Sequence, residues 1–289
     1  MNTHHKGLII TTLGVLFIVP DSLFVRLINT DPMVTAFWRA LTSGIIIFVG
    51  VVVFQGFSAF KAVLQTGRAG WIYMALIGTT APGFVMAITY TSVANAVFIF
   101  ATIPIFAAIF SRIYLGEPVQ GRMVATMAAV FIGLGLVAYG SLGSQIASWK
   151  GDLWAIFISA AYAGALTALR KLKATSMIPA IPIAYLGTAL VIGSFTAPLS
   201  AFQLQWPLFL GHGAFIGVAT CFLTLGPRYL NSPEVSLLIL LESVLAPILV
   251  WAVIGEDPGA LALAGGAVVI GALLVSNILI LRKRARIRR

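Results

Sequence analysis

The sequence predicts an all-α integral membrane protein with ten transmembrane helices, arranged as two inverted five-helix repeats. Composition, the spacing of apolar runs and a repeated internal register lead there. Of the 289 residues, 60% are apolar and 9% charged, against about 25% charged in ordinary soluble domains. Runs of about twenty apolar residues, each long enough to cross a ~30 Å hydrocarbon core as a helix, fall at 7–28, 34–55, 70–91, 93–114, 120–140, 152–171, 180–199, 208–229, 234–254 and 260–281. Short connections such as NTDPM (29–33) and GEDPG (255–259) hold the turn residues expected between them. Barrel strands would alternate apolar and polar residues, which these continuous runs do not.

Eighteen basic residues against eight acids would suggest nucleic acid in a soluble chain. Here six of the eighteen stand in the tail LRKRARIRR, and most of the others lie between apolar runs, so the charge marks topology and no nucleic-acid partner is expected. With the N-terminus inside, fifteen basic residues face the cytoplasm and three (Arg26, Arg39, Lys150) the other side, so both termini are expected in the cytoplasm. The first apolar run is too long for a signal-peptide core, and no small-residue cleavage site follows it, so a multi-pass membrane protein without a cleavable signal peptide is expected. One cysteine, Cys221, forms no internal disulfide. With two of three histidines at positions 4 and 5, a Cys/His metal cluster is excluded and no cofactor is expected.

At a constant shift of 139 residues, MALIGTTAPGFVMAITYTS (74–92) lies over GAFIGVATCFLTLGPRYLN (213–231), matching Ala75 to Ala214, Ile77-Gly78 to Ile216-Gly217 and Tyr90 to Tyr229. Without a gap, IPIFAAIFSRIYLGE (103–117) then lies over ESVLAPILVWAVIGE (242–256), so Gly116-Glu117 meets Gly255-Glu256. A five-helix unit is odd-numbered, so its second copy enters the membrane upside down, a signature of secondary transporters. The expected organisation is a first repeat at 1–145, a second, inverted repeat at 146–281 and a basic cytoplasmic tail at 282–289.

The segment TIPIFAAIFSRIYLGEPVQGRMVATMAAVFIGLGLVAYG (102–140) and its echo LESVLAPILVWAVIGEDPGALALAGGAVVIGALLVSN (241–277) resemble the EamA repeat of the drug/metabolite transporter superfamily. The resemblance covers essentially the whole chain. It implies a secondary transporter exporting small metabolites, amino acids foremost and aromatic ones among them, as in the bacterial exporters it is similar to. Relatives carry nucleotide sugars or drugs. The second repeat departs from the pattern in having Ser243 where Pro104 stands in the first, with Pro247 a turn later.

Transport needs helices that bend and polar groups near the midplane. Pro20, Pro82, Pro104 and Pro247 lie well inside spans 1, 3, 4 and 9 and each removes a backbone hydrogen bond. Each is a static kink or a hinge, and the resemblance, which places these helices around a cavity, favours hinges. Span 3 carries Thr79, Pro82, Gly83, Met86 and Tyr90 on one helical face, and span 8 carries Gly217, Thr220, Cys221 and Thr224. Span 6 adds Ser159 and Tyr162, span 4 adds Asn95, Phe98 and Thr102, and Phe17 joins the set from span 1. Together they suggest an amphiphilic pocket for a small-molecule substrate, with helix-to-helix hydroxyl bonding as the alternative for each hydroxyl.

Two acids lie deep. Glu242, about 12 Å below the cytoplasmic surface at 1.5 Å per residue, faces no obvious basic partner, which suits a proton relay, a substrate contact or a shared structural role. Asp21 lies at the depth of Arg39 on the neighbouring span, so the two form either a structural ion pair or a functional site. His212, four residues into span 8, reads as a structural interfacial histidine. No constellation of a membrane enzyme is present, so no catalytic residue is expected. An exporter working as a monomer by alternating access and a channel-like facilitator remain.

Overall fold

The computed structural model describes residues 3–91, 96, 99–100, 102–119, 121–140, 149–255, 260–261, 263–269, 271–272 and 275. Every regular element among them is helical: α1 (Thr3–Ile18), α2 (Asp21–Leu27), α3 (Pro32–Gln55), α4 (Ser58–Leu64), α5 (Arg68–Tyr90), α6 (Ile103–Phe110), α7 (Gly121–Gly140), α8 (Trp149–Lys171), α9 (Ala180–Gly193), α10 (Phe202–Leu225) and α11 (Ser232–Ile254). Six segments are long and apolar enough to cross a membrane: Thr3–Leu27, Pro32–Gln55, Arg68–Tyr90, Trp149–Lys171, Pro198–Arg228 and Glu234–Ile254. Shorter apolar helices stand at Ile103–Leu115, Met123–Gly133 and Ala180–Gly193.

Local sequence explains most of the boundaries. Asp31 accepts from the backbone N–H groups of Met33 (2.8 Å) and Val34 (3.3 Å), and Pro32 takes the first turn of α3, where its missing N–H costs nothing. Asn231 and Glu234 form a reciprocal capping box that starts α11. The two Gly-Glu exits end their helices alike: Gly116 (φ 66°) and Gly255 (φ 85°) are both left-handed caps, a conformation that a Cβ would strain. They differ in the last turn. Gly116 N–H reaches back to Ser111 through a π turn over Ser111–Leu115, whereas Gly255 N–H bonds Trp251 in ordinary α fashion.

Three boundaries depart from the apolar runs. The first span is interrupted: α1 ends at Ile18 and α2 begins at Asp21, with Pro20 in the turn, because a proline ring cannot continue the preceding hydrogen-bond ladder. Span 7 is shorter than its apolar run, since α9 stops at Gly193, and α10 begins at Phe202 rather than near 208, with Pro207 inside its early turns. The connection between α3 and α5 holds the short helix α4.

Packing relies on small residues. A Cβ on Gly213 of α10 would lie 1.9 Å from Thr42 Oγ1 on α3, and one on Gly83 of α5 would lie 2.2 Å from Ile158 Cδ1 on α8. Glycine at these points lets the backbones approach as membrane helices do when no hydrophobic force drives them together. Outward faces carry the opposite kind of residue: Val49, Val53 and Phe54 of α3 and Leu190 and Val191 of α9 are all more than half exposed. These are the faces that meet lipid.

Candidate functional site: a polar cavity between the two halves

A cavity of about 60 Å³ lies at the centre of the helices. At roughly 10–15 Å³ per water on this measure, it has room for about four to six waters with its walls as they stand. Residues before 145 supply Ile18, Asp21, Arg39, Thr80 and Phe84, and residues after it supply Tyr162, Tyr185, Thr220 and Glu242.

Its charged wall is a buried network. Because α1 breaks at Pro20, Asp21 begins a separate short helix, with its side chain directed at α3 and α10. Its Oδ2 accepts from Arg39 Nη2 at 2.6 Å, and Oδ1 accepts from Arg39 Nε at 3.1 Å, a bidentate pair with both side chains at most 4% exposed. Oδ1 also lies 2.6 Å from His212 Nε2. A carboxylate can only accept, so Nε2 carries the hydrogen of that bond. Phe24 stacks on the His212 ring at 5.2 Å and 13°, and the Arg39 guanidinium lies over the Phe84 ring at 5.5 Å. Ser43 Oγ donates to the Arg39 carbonyl one turn along α3.

Two groups in the wall keep free capacity. Arg39 Nη1 is buried with no acceptor. The Glu242 carboxylate makes no hydrogen bond or ion pair among the described residues and lines the same cavity. Hydroxyl pairs frame them: Tyr185 with Thr220 at 3.3 Å across α9 and α10, and deeper in the packing Tyr73 with Thr224 at 2.9 Å across α5 and α10. Phe84 and Phe100 stack at 5.9 Å and 19° on the apolar side.

Of the residues singled out in the sequence, the cavity brings together Asp21, Tyr162, Thr220 and Glu242, with Arg39 beside them. Others lie elsewhere for identifiable reasons. Phe17 packs on Phe215 and Phe222 of α10. Thr79 and Thr102 donate to the carbonyls of Leu76 and Ile99 one turn back, and the Ser159 hydroxyl bonds the Ala155 carbonyl at 2.8 Å and reaches that of Ile99 at 3.3 Å, so these hydroxyls serve backbone groups. The stripe of Thr79, Pro82, Gly83 and Met86 turns its glycine into α8, whereas the cavity takes the adjoining face of α5, Ile77, Thr80 and Phe84. Tyr90 is 39% exposed at the end of α5, and Thr224 bonds Tyr73. Among the prolines, Pro82 and Pro247 sit inside continuous helices, Pro104 in the first turn of α6 and Pro20 in the helix break. Asn95, Phe98 and the tail 282–289 lie outside the described residues.

Sequence reasoning did not reach Tyr185, Thr80, Phe84 or the contact of His212 with Asp21. The histidine is fully buried, ten residues into α10, because that helix starts earlier than its apolar run.

Continuous apolar helices around a shared polar cavity define a multi-pass membrane protein with a central site. Residues 5–139, a little under half of the chain, match the EamA-like transporter family model. The match supports a membrane transporter of the drug/metabolite type. A solved crystal structure is similar to it over 96% of this chain and 99% of the other, with a TM-score of 0.77 and 16% identity, a likeness of fold alone. No curated protein matches the chain.

Proposed function

We propose that this protein is a secondary transporter that exports amino acids, aromatic ones included, from the bacterial cytoplasm by alternating access. The observation that carries the reading is the pair of unsatisfied groups in one cavity. Arg39 Nη1 is a buried donor without an acceptor, and Glu242 is a carboxylate without a donor. A substrate carboxylate answers the first and a substrate ammonium the second, so a zwitterion completes both at once. Phe84, Phe100, Tyr162 and Tyr185 then offer ring faces to an apolar or aromatic side chain.

Alternating access supplies the room that the narrow cavity lacks. In this reading residues 1–145 and 146–281 are inverted repeats, the wall is shared between them, and rocking of one against the other opens the cavity to each side in turn. The matched left-handed caps at Gly116 and Gly255 support the duplication. Pro20 and the proline-bearing helices α5 and α11 are the places where bending is least costly. The protein acts as a monomer, with both termini in the cytoplasm.

Counterflow in liposomes tests this. Uptake of labelled phenylalanine is expected to rise when unlabelled amino acid is loaded on the opposite side. Uptake that ignores internal amino acid would mean a channel-like pathway, and no uptake of any of the twenty amino acids would remove the substrate class.

A further inference from the structure

A second and larger cavity, about 590 Å³, lies away from the central site, where α5, α8 and the α6 helix with its π turn meet. Its floor is made of small residues of α8, with Ala160, Ala161, Gly164 and Ala168 in place of the bulky side chains that face lipid elsewhere. Ile72 of α5 and Phe157 of α8, 53% and 45% exposed, and Tyr114 of the π turn, 70% exposed, form walls open to the surroundings of the protein. Small-residue faces normally receive another helix. Here Leu76 of α5 covers part of that face, since a Cβ on Gly164 would lie 2.9 Å from its Cδ1, while Ala160 and Ala168 stay partly exposed.

One end of the groove is charged. Arg68, the first residue of α5, and Lys171, the last of α8, both line it, both are exposed, and neither makes an ion pair among the described residues. Along α8 the groove runs from Lys171 to Phe157, about 21 Å at the α-helical rise, close to the ~20 Å of one leaflet with its head-group region. The groove is therefore an apolar slot one leaflet deep with two unpaired cations at its head. Those dimensions and that polarity match a phospholipid: an acyl chain fills the slot and a phosphate lies between the two cations. Basic pockets between transmembrane helices select acidic head groups, because a zwitterionic lipid brings its own cation to the same place.

We propose that this groove is a binding site for one acidic phospholipid of the leaflet at the Arg68–Lys171 end. The acyl chain lies against Ala160, Gly164 and Ala168, and the phosphodiester is held by Arg68 and Lys171. The groove is built from both halves of the chain, so the bound lipid wedges the seam that rocking must shear. It uses none of the residues of the central cavity and does not depend on which substrate that cavity takes.

The test is native mass spectrometry of the full-length protein in detergent, titrated with phosphatidylglycerol or phosphatidylcholine, with thermal unfolding measured in parallel. Wild type is expected to retain the first lipid of phosphatidylglycerol roughly tenfold or more tightly than phosphatidylcholine, from two surface cations acting on one phosphate. Arg68→Gln/Lys171→Gln is expected to lose that preference while still binding both lipids. Ala160→Leu/Ala168→Leu, which fills the slot, is expected to lose the first adduct of either lipid. Equal retention of the two lipids by wild type, or a preference that survives Arg68→Gln/Lys171→Gln, overturns the proposal. So does stabilisation by inorganic phosphate equal to that by phosphatidylglycerol, which would make the cations an ion site without a lipid. Counterflow is measured on the same variants, so that loss of transport with lipid selectivity intact is read against the central cavity alone.

Discussion

Two contacts between charged or titratable side chains join residues before 145 to residues after it, one towards each end of the helices, and they are built very differently: across that divide Asp21 meets only His212, since its ion pair with Arg39 lies within the first 145 residues. At one end Asp21 on α2 meets Arg39 on α3 and His212 on α10, with 0%, 4% and 0% of the side chains exposed. At the other, Glu117 after the π turn meets Arg170 on α8 at 3.0 Å, with 30% and 21% exposed, and Arg170 also donates to the Pro227 carbonyl at 3.2 Å. A buried charge stripped of its partner cannot rehydrate, whereas a part-exposed pair exchanges its partner for water at little cost. The two contacts are therefore expected to differ in what their loss costs: more at the buried Asp21 network, less at the part-exposed Glu117–Arg170 pair.

The largest expected effect breaks the buried end. Asp21→Asn leaves Arg39 as an unneutralised buried cation, which costs about 3–5 kcal/mol. We expect little folded protein in the membrane, read as monodisperse yield by fluorescence-detected size exclusion. Asp21→Leu/Arg39→Met, which removes both charges, is expected to recover most of that yield, and no recovery would show that the pair does more than neutralise itself. His212→Phe comes next. It keeps the ring stack with Phe24 but deletes one hydrogen bond to a charged group, worth about 1.5–3 kcal/mol, so melting is expected to fall while the protein still folds.

The smallest expected effect on stability lies at the other end. Glu117→Gln is expected to change stability by no more than about 1 kcal/mol and to leave yield unchanged. Its effect should appear in transport, where a weakened closure at that end alters the counterflow rate. A fall in stability as large as that of Asp21→Asn would erase the contrast between the ends.

The ion pair was accessible to simple depth counting, because Asp21 and Arg39 flank a short turn and helix rise fixes their levels. Its third member was not. The segment QLQWPLFL (203–210) contains two glutamines and a proline and so looks like a loop, yet α10 runs through it and buries His212. The small residues of α5 misled in another way. A face carrying Gly83 looks like a cavity wall in sequence, but the same smallness serves close packing on Ile158, and the cavity lies one face round the helix. Tyr185 had only Thr188 as a polar neighbour at helical spacing, and that hydroxyl donates to the Gly78 carbonyl. Glu242 stood out because a carboxyl deep in an apolar run is rare.

The most direct measurement is counterflow of labelled phenylalanine by Glu242→Gln beside wild type, at equal incorporation into liposomes. The substitution keeps the size of the side chain and removes the charge offered to a substrate ammonium. A fall of about tenfold or more in initial rate, the worth of about 1.4 kcal/mol in binding, with unchanged yield and melting, is the result expected if the cavity carries the substrate. Wild-type rates in Glu242→Gln would contradict it and move the site elsewhere in the molecule.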